Sequence, residues 1–224
     1  MIVAKDVYLR YVDGTKALNN INLQIKPGEL VYITGPSGSG KTSLIKLFMG
    51  IEFPTTGSLE VLGRPITKNH GGPIKQMRMM IGPVFQEFKL IKGRTAMENI
   101  MLGMRFLDFS PNQIRENANN ALVRVGLEHK KSSLVENLSW GECQRIAIAR
   151  AVARKPLLIL ADEPTGNLDH DNALNILDLL TSFRDEKTAV IITTHATHLI
   201  DNNEESRLIQ VEDGSITYEG LGLI

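Results

Sequence analysis

Eight consecutive residues, Gly35-Pro36-Ser37-Gly38-Ser39-Gly40-Lys41-Thr42, fit the spacing G-x-x-x-x-G-K-[ST]. They stand between an apolar run, Leu30 to Ile33, and a segment of helical spacing from Thr42 to Met49. Glycine at these positions lets successive backbone N–H groups turn toward one centre, and the helix that follows points its positive end at the same place. The natural occupant of such a cradle is a phosphate chain. Lys41 would reach its terminal phosphates, Thr42 would offer an oxygen to Mg2+, and Ser43 continues the same row. A plain glycine-rich turn is the competing reading, and the flanking strand and helix argue against it.

A second chemical signal lies far downstream, where the apolar run Leu157 to Ala161 ends in the adjacent carboxylates Asp162 and Glu163. Ligands of open α/β sheets gather at the carboxyl ends of strands. Asp162 at such an edge can join a Mg2+ shell, and Glu163 can orient and partly deprotonate an attacking water. Alone, the pair is also what an acidic turn after a core strand looks like; with the glycine-rich loop present, the catalytic reading gains.

These groups meet only if the strands that carry them end together. Ile21, Leu23 and Ile25 alternate with Asn22, Gln24 and Lys26, a half-exposed strand pattern that Pro27-Gly28 turns into the buried run Leu30 to Ile33. Strands are expected again at Gly57 to Leu62, Ile81 to Gln86, Leu157 to Ala161 and Ala189 to Thr193. Helices are expected from Thr42 to Met49 and from about 140 to 154, and along the stripe Ala173, Ile176, Leu177, Leu180 and Phe183. Between about 88 and 138 the chain turns helical: Ser110-Pro111 opens a helix through Ile114, Ala118, Ala121, Leu122 and Val125, and Gly126 closes it. Buried strands alternating with helices imply an α/β fold with a mainly parallel sheet, preceded by antiparallel strands. The tail from Gly220 reads as loose.

Composition narrows the function classes. Lys and Arg number 25 and so do Asp and Glu, so no broad positive field invites nucleic acid or anionic lipid. The one cysteine, Cys143, forms no internal disulfide. The apolar runs fall short of the roughly 18 residues needed to cross a bilayer, and Met1 to Lys5 does not open a signal peptide. The expectation is a soluble cytosolic chain, docked on something else.

With these motifs in order, the chain resembles the nucleotide-binding subunits of the ABC ATPase superfamily over nearly its whole length. The resemblance implies a P-loop NTPase core (1–87 and 139–224) with an N-terminal antiparallel β subdomain and an inserted α-helical subdomain (88–138), and it implies ATP and Mg2+ as ligands. It identifies Gln86, after Ile81-Gly82-Pro83-Val84-Phe85, with the glutamine that senses Mg2+ and couples to a membrane partner. Leu138-Ser139-Trp140-Gly141-Glu142-Cys143-Gln144-Arg145 is similar to the family signature, Leu168-Asp169 to the loop that follows the carboxylate pair, and His195 to the histidine that contacts the γ-phosphate. Read from the residues alone, Ser139 and Glu142 are a capping box. In the family that helix end covers the ATP held by a second copy, so Ser139, Gly141 and Asp169 would complete a site whose other half carries Lys41, Glu163 and His195. Tyr11 matches the aromatic that stacks on adenine, and packing on the strand layer is its alternative role.

Three departures bear on the family reading: Trp140 where glycine is usual, Cys143 where a polar residue is usual, and Ala196 after the histidine. An indole directed at the nucleotide would block closure. Met97, Met101 and Met104, with Phe106 and Phe109, fall where the family receives a transmembrane subunit; core packing is the other explanation of their spacing. His70, His129, His170 and His198 show no metal-ligand spacing.

Within the superfamily, Ala161-Asp162-Glu163-Pro164-Thr165-Gly166-Asn167-Leu168-Asp169 is similar to the lipoprotein-release, macrolide-export and FtsE group, and Gly50 to Gly57 with Leu90 to Thr95 resemble the FtsE branch. That branch implies an ATP-hydrolysing homodimer peripheral to the inner face of the cell membrane, bound to an FtsX-type transmembrane partner in cell division. An exporter subunit, or a nucleotide-gated scaffold slowed by Trp140, are the alternatives.

Overall fold

A computed structural model describes residues 1–68, 71–200 and 205–221. Its first sheet has four antiparallel strands: β1 (Ile2–Arg10), β2 (Lys16–Ile25), β4 (Thr56–Val61) and β5 (Arg64–Pro65), in the order β2-β1-β4-β5. The second has six, formed by β3 (Leu30–Thr34), β6 (Ile81–Phe85), β7 (Leu158–Asp162), β8 (Ala189–Thr194), β9 (Ser206–Glu212) and β10 (Ser215–Leu221). Its order is β10-β9-β3-β8-β7-β6, parallel throughout except for the β9–β10 hairpin.

The helices are α1 (Lys41–Phe48), α2 (Gly71–Met79), α3 (Ala96–Leu102), α4 (Pro111–Arg124), α5 (Trp140–Val152) and α6 (His170–Thr181). Capping boxes start three of them: Thr95 with Glu98, Ser110 with Gln113, and Ser139 with Glu142. Pro111 occupies the first turn of α4, and Gly126 follows that helix with φ +74°.

Strands β3, β7 and β8 are apolar up to the polar residues that end them because both of their faces are covered. In β3, Val31 and Ile33 join β1, β2, β4 and α1 in one core, whereas Leu30 and Tyr32 face a second core with α3 to α6. β7 and β8 divide in the same way: Leu158, Leu160, Ala189 and Ile191 lie on one side, Ile159, Ala161, Val190 and Ile192 on the other. The helical insert thus shares its core with one face of the parallel sheet, and α5 packs between that insert and β6.

The expected elements are present, β7 and β8 each reaching one residue further than anticipated, to Asp162 and Thr194. Four of the strands and helices named above went unread: α2, the two-residue β5, and β9 and β10 of the hairpin. Gly220 and Leu221 are not loose but lie in β10, paired with Leu208 and Arg207 of β9. Polar residues interrupt Ser206–Glu212 and Ser215–Leu221, so neither stretch reads as buried until β3 is placed beside β9. His70 lies outside the described residues.

Candidate functional site

The glycine-rich loop leaves β3 at Thr34, whose parallel neighbours are Thr194 of β8 and Gln210 of β9. Gly35 has φ +145°, and a Cβ there would stand 2.0 Å from the Val211 carbonyl oxygen, so no other residue fits. Gly40 has φ 112° as the N-cap of α1 and makes no side-chain cap, which leaves the amides that open α1 without a side-chain partner. Pro36, Ser37, Gly38, Gly40, Lys41, Thr42 and Ser43 line a cavity of about 750 Å³, joined there by Tyr11, Gln86, Glu163 and His195. Gly35 and the buried Ser39, also in the loop, are not among the residues that line this cavity, and the Ser39 hydroxyl has no hydrogen-bond partner.

Lys41 is buried, and its Nζ donates to the carbonyls of Gly35 (2.7 Å) and Pro36 (3.0 Å) and stands 3.4 Å from Glu163 Oε1. On its other side, Glu163 Oε2 lies 2.9 Å from His195 Nδ1 and accepts the His195 backbone N–H at 3.3 Å. Glu163 has φ +46°, an uncommon backbone state for a side chain with a Cβ. Its own N–H is held by Thr193, through the carbonyl at 3.2 Å and Oγ1 at 3.0 Å. The outcome is a carboxylate aimed between a lysine and a histidine.

Asp162 closes β7 beside Thr193 of β8. Its Oδ1 accepts from Thr42 Oγ1 at 3.2 Å and from Thr193 Oγ1 at 2.8 Å. Thr42, Asp162 and, across the same cavity, Gln86 offer hydroxyl, carboxylate and amide oxygens, a donor set that suits a hard divalent cation such as Mg2+. Gln86 packs close to Gly166, where a Cβ would meet its Nε2 at 2.8 Å. Tyr11 follows the end of β1, and its hydroxyl lies 3.0 Å from Ser43 Oγ while the ring lines the cavity and also packs on the core. Both roles weighed for Tyr11 are therefore compatible with where it sits.

Ser139, Gly141 and Asp169 are not in this cavity. They line a second one of about 390 Å³, together with Trp140, Glu142, Gly126, Asn167 and Asn172. Ser139 Oγ accepts the Glu142 N–H at 3.2 Å, and Glu142 Oε2 accepts the Ser139 N–H at 2.8 Å. That bond, with help from Lys130, holds the Glu142 carboxyl below its ordinary range. Asp169 caps α6 through the Asn172 N–H at 2.9 Å and is likewise held low by Asn172. Cys143 donates weakly to the Val135 carbonyl, and burial pushes its thiol up. Trp140 is 57% exposed.

The methionines do not form a face: Met104 is fully buried, and Met97 and Met101 pack on the core. The exposed apolar groove lies beside them, about 480 Å³ lined by Ile51, Met79, Phe85, Phe106 and Leu107 with Lys75, Arg78 and Arg154 at its rim. Phe106 is 88% exposed there. Sequence reasoning missed Thr193, whose type at the end of a strand paired with β7 was its only signal, and the two arginines that hold backbone carbonyls around the groove. His129, His170 and His198 are exposed, and no group of three or more His, Cys, Asp or Glu side chains that could hold a metal ion occurs among the described residues.

The model of the family described as ABC transporter matches residues 18–166. The chain belongs to the ABC transporter family. It is 38% identical over 216 residues to the cell division ATP-binding protein FtsE of Bacillus subtilis, covering 96% of this chain and 94% of that one. To FtsE of Escherichia coli it is 37% identical over 222 residues, covering 99% of each. Among solved structures, a dimeric ATP-binding cassette in a post-hydrolysis state bound to ADP and Pi is 34% identical, with a TM-score of 0.86 over 99% of this chain and 98% of that one. As an ABC family member the chain is an ATP-binding and ATP-hydrolysing subunit, similar along nearly its whole length to FtsE proteins. No helix among the described residues is long and apolar enough to cross a membrane.

Proposed function

We propose that the chain is the ATPase subunit of an FtsE-type cell-division complex, in which two copies close head to tail on ATP and pull on a membrane partner of FtsX type. The observation that carries this reading is the separation of the two cavities. One holds Lys41, Glu163 and His195; the other holds the uncovered helix end at Ser139 and Gly141 with Asp169. Neither surrounds a nucleotide alone, and a two-fold pairing would bring one of each together twice.

In the first cavity the loop amides grip the phosphates, and Lys41 exchanges the Gly35 and Pro36 carbonyls for phosphate oxygens, a swap that frees Glu163 from its ion pair. Thr42, Asp162 and Gln86 would hold Mg2+, which supplies charge neutralisation at the phosphates. Glu163, fixed by the Thr193 bonds to its backbone, then aligns a water and accepts its proton, and His195 Nδ1 keeps the carboxylate in place. Tyr11 stacks on the base.

The groove at Phe106 is the docking place for the membrane subunit: an apolar floor with three cations at its edge suits a short amphipathic helix bearing carboxylates. Residues 88–138 act as the helical subdomain that carries α3 and one wall of this groove. The chain would then sit at the inner face of the membrane through its partner alone.

The test is copurification and turnover. Coexpressed with a transmembrane FtsX-type protein, the chain should be retained by it, and Phe106→Asp should release it while leaving ATP affinity unchanged in calorimetry. Retention of the variant would remove the groove from the interface. Copurification with a solute or lipoprotein exporter would move the chain to another branch.

A further inference from the structure

Phe88 and Trp140 touch ring to ring, with centroids 4.9 Å apart and planes at 62°. That edge-to-face geometry is the favourable one for two aromatic quadrupoles. The pair joins two elements that the site needs and the backbone does not otherwise connect. Phe88 lies in the loop that leaves β6 just after Gln86, and Trp140 is the first residue of α5, beside Ser139 and Gly141. Phe88 and Lys89 both have φ 52°, so the loop turns sharply here. Arg150, near the other end of α5, donates to both their carbonyls, at 2.5 Å to Phe88 and 2.6 Å to Lys89. The loop is therefore pinned to α5 at two points, one polar and one aromatic.

Arg150 is largely withdrawn from solvent, and its bonds go to backbone, so that anchor is indifferent to loop sequence. The aromatic anchor sits at the cavity edge: Trp140 is still 57% exposed and lines the second cavity, while Gln86 lines the first. A displacement of Gln86 by ligand in the first cavity would pass through Phe88 to the residue that opens the helix in the second.

We propose that Trp140 is a positioning residue for ATP hydrolysis, an intrachain tie that couples the Gln86 loop to the N-terminus of α5 through Phe88. The tie rests on the reading that ATP occupies the first cavity. It gives the indole a role other than obstruction, because the ring is engaged with its own chain's loop. Trp140 is also the single tryptophan of the chain, so all tryptophan emission comes from this one position, and Phe88→Leu isolates the part that depends on the contact.

The experiment titrates the purified full chain with Mg-ATP while following tryptophan emission, with calorimetry and steady-state turnover measured in parallel. Expected is an emission change that saturates with ATP in the wild type and is lost in Phe88→Leu, although calorimetry finds ATP bound by both with similar affinity. Trp140→Ala and Phe88→Leu should each lower kcat about three- to tenfold at little cost in KM, the double variant should be no worse than either, and Trp140→Phe should recover part of the loss. Unchanged thermal melting separates this from misfolding. The tie is overturned if emission stays fixed while ATP binds, if Phe88→Leu responds like the wild type, if the two losses multiply, or if Trp140→Gly raises turnover, which would make the indole an obstacle. Absence of ATP binding in the calorimeter would instead strike the functional reading beneath it.

Discussion

The two cavities are built on opposite plans. In the first, the charged groups of the candidate site are already engaged with other parts of the same chain: Lys41 with two carbonyls and Glu163, Glu163 with His195, Asp162 with Thr42 and Thr193. In the second, the polar groups serve the helices that carry them, Ser139 and Glu142 capping α5 and Asp169 capping α6, and the face toward solvent is left uncovered. A site whose charges hold one another in place is preorganised for chemistry; one whose polar groups only finish helices is a surface waiting for a ligand brought by something else. On the proposed reading, the chain carries the machinery in one place and the cover in another.

The sharpest way to break this contrast is at the carboxylate of the first cavity. Glu163→Gln should lower turnover about a hundredfold or more while ATP remains bound and the two-copy form accumulates in size-exclusion chromatography. Turnover near that of the wild type would remove Glu163 from water alignment. Lys41→Ala should rank next, with loss of turnover of about a hundredfold and weakened ATP binding in calorimetry, since it takes away a donor aimed at the phosphates. The second cavity should respond differently. Ser139→Ala should leave the ATP affinity of the isolated chain within about twofold, yet cut turnover and the concentration dependence of turnover by about tenfold; part of this is the lost cap, worth about 1 kcal/mol of helix stability. If turnover per chain does not rise with protein concentration, the cover does not come from a second copy.

The smallest effect concerns pH. The Glu142 carboxyl is held below its ordinary value of 4.5 by the Ser139 N–H and Lys130. Its folded pKa is depressed, so the stabilisation is present above 4.5 and is lost as pH falls through the lower folded value. Hydrogen exchange at the first turn of α5 should accelerate over that acid range, and Glu142→Gln should flatten the dependence. An unaltered profile in the variant would show that the capping carboxylate contributes nothing there.

Residue types and local spacing were enough to place Gly35 to Thr42 as a glycine-rich turn between a strand and a helix, because the torsion at a position such as Gly35 admits only glycine, and enough to start α4 and α5 at Ser110 and Ser139, because capping is a matter of four consecutive residues. The alternation within β3, β7 and β8 was legible as continuous apolar runs, since strands covered on both faces have no polar side to show. Long-range pairing was not legible. The β9–β10 hairpin mixes polar and apolar residues, and only the parallel neighbour β3 makes a strand of Ser206–Glu212. Which methionines are core and which apolar residues line a groove was likewise settled by packing: Met104 is covered and Phe106 is not, though both are large, apolar and two residues apart. Nor could spacing reveal that Thr193 holds both Asp162 and the backbone of Glu163, or that Phe88 reaches Trp140. Those contacts join residues distant in sequence, and their distances exist only once the strands lie side by side and α5 packs against β6.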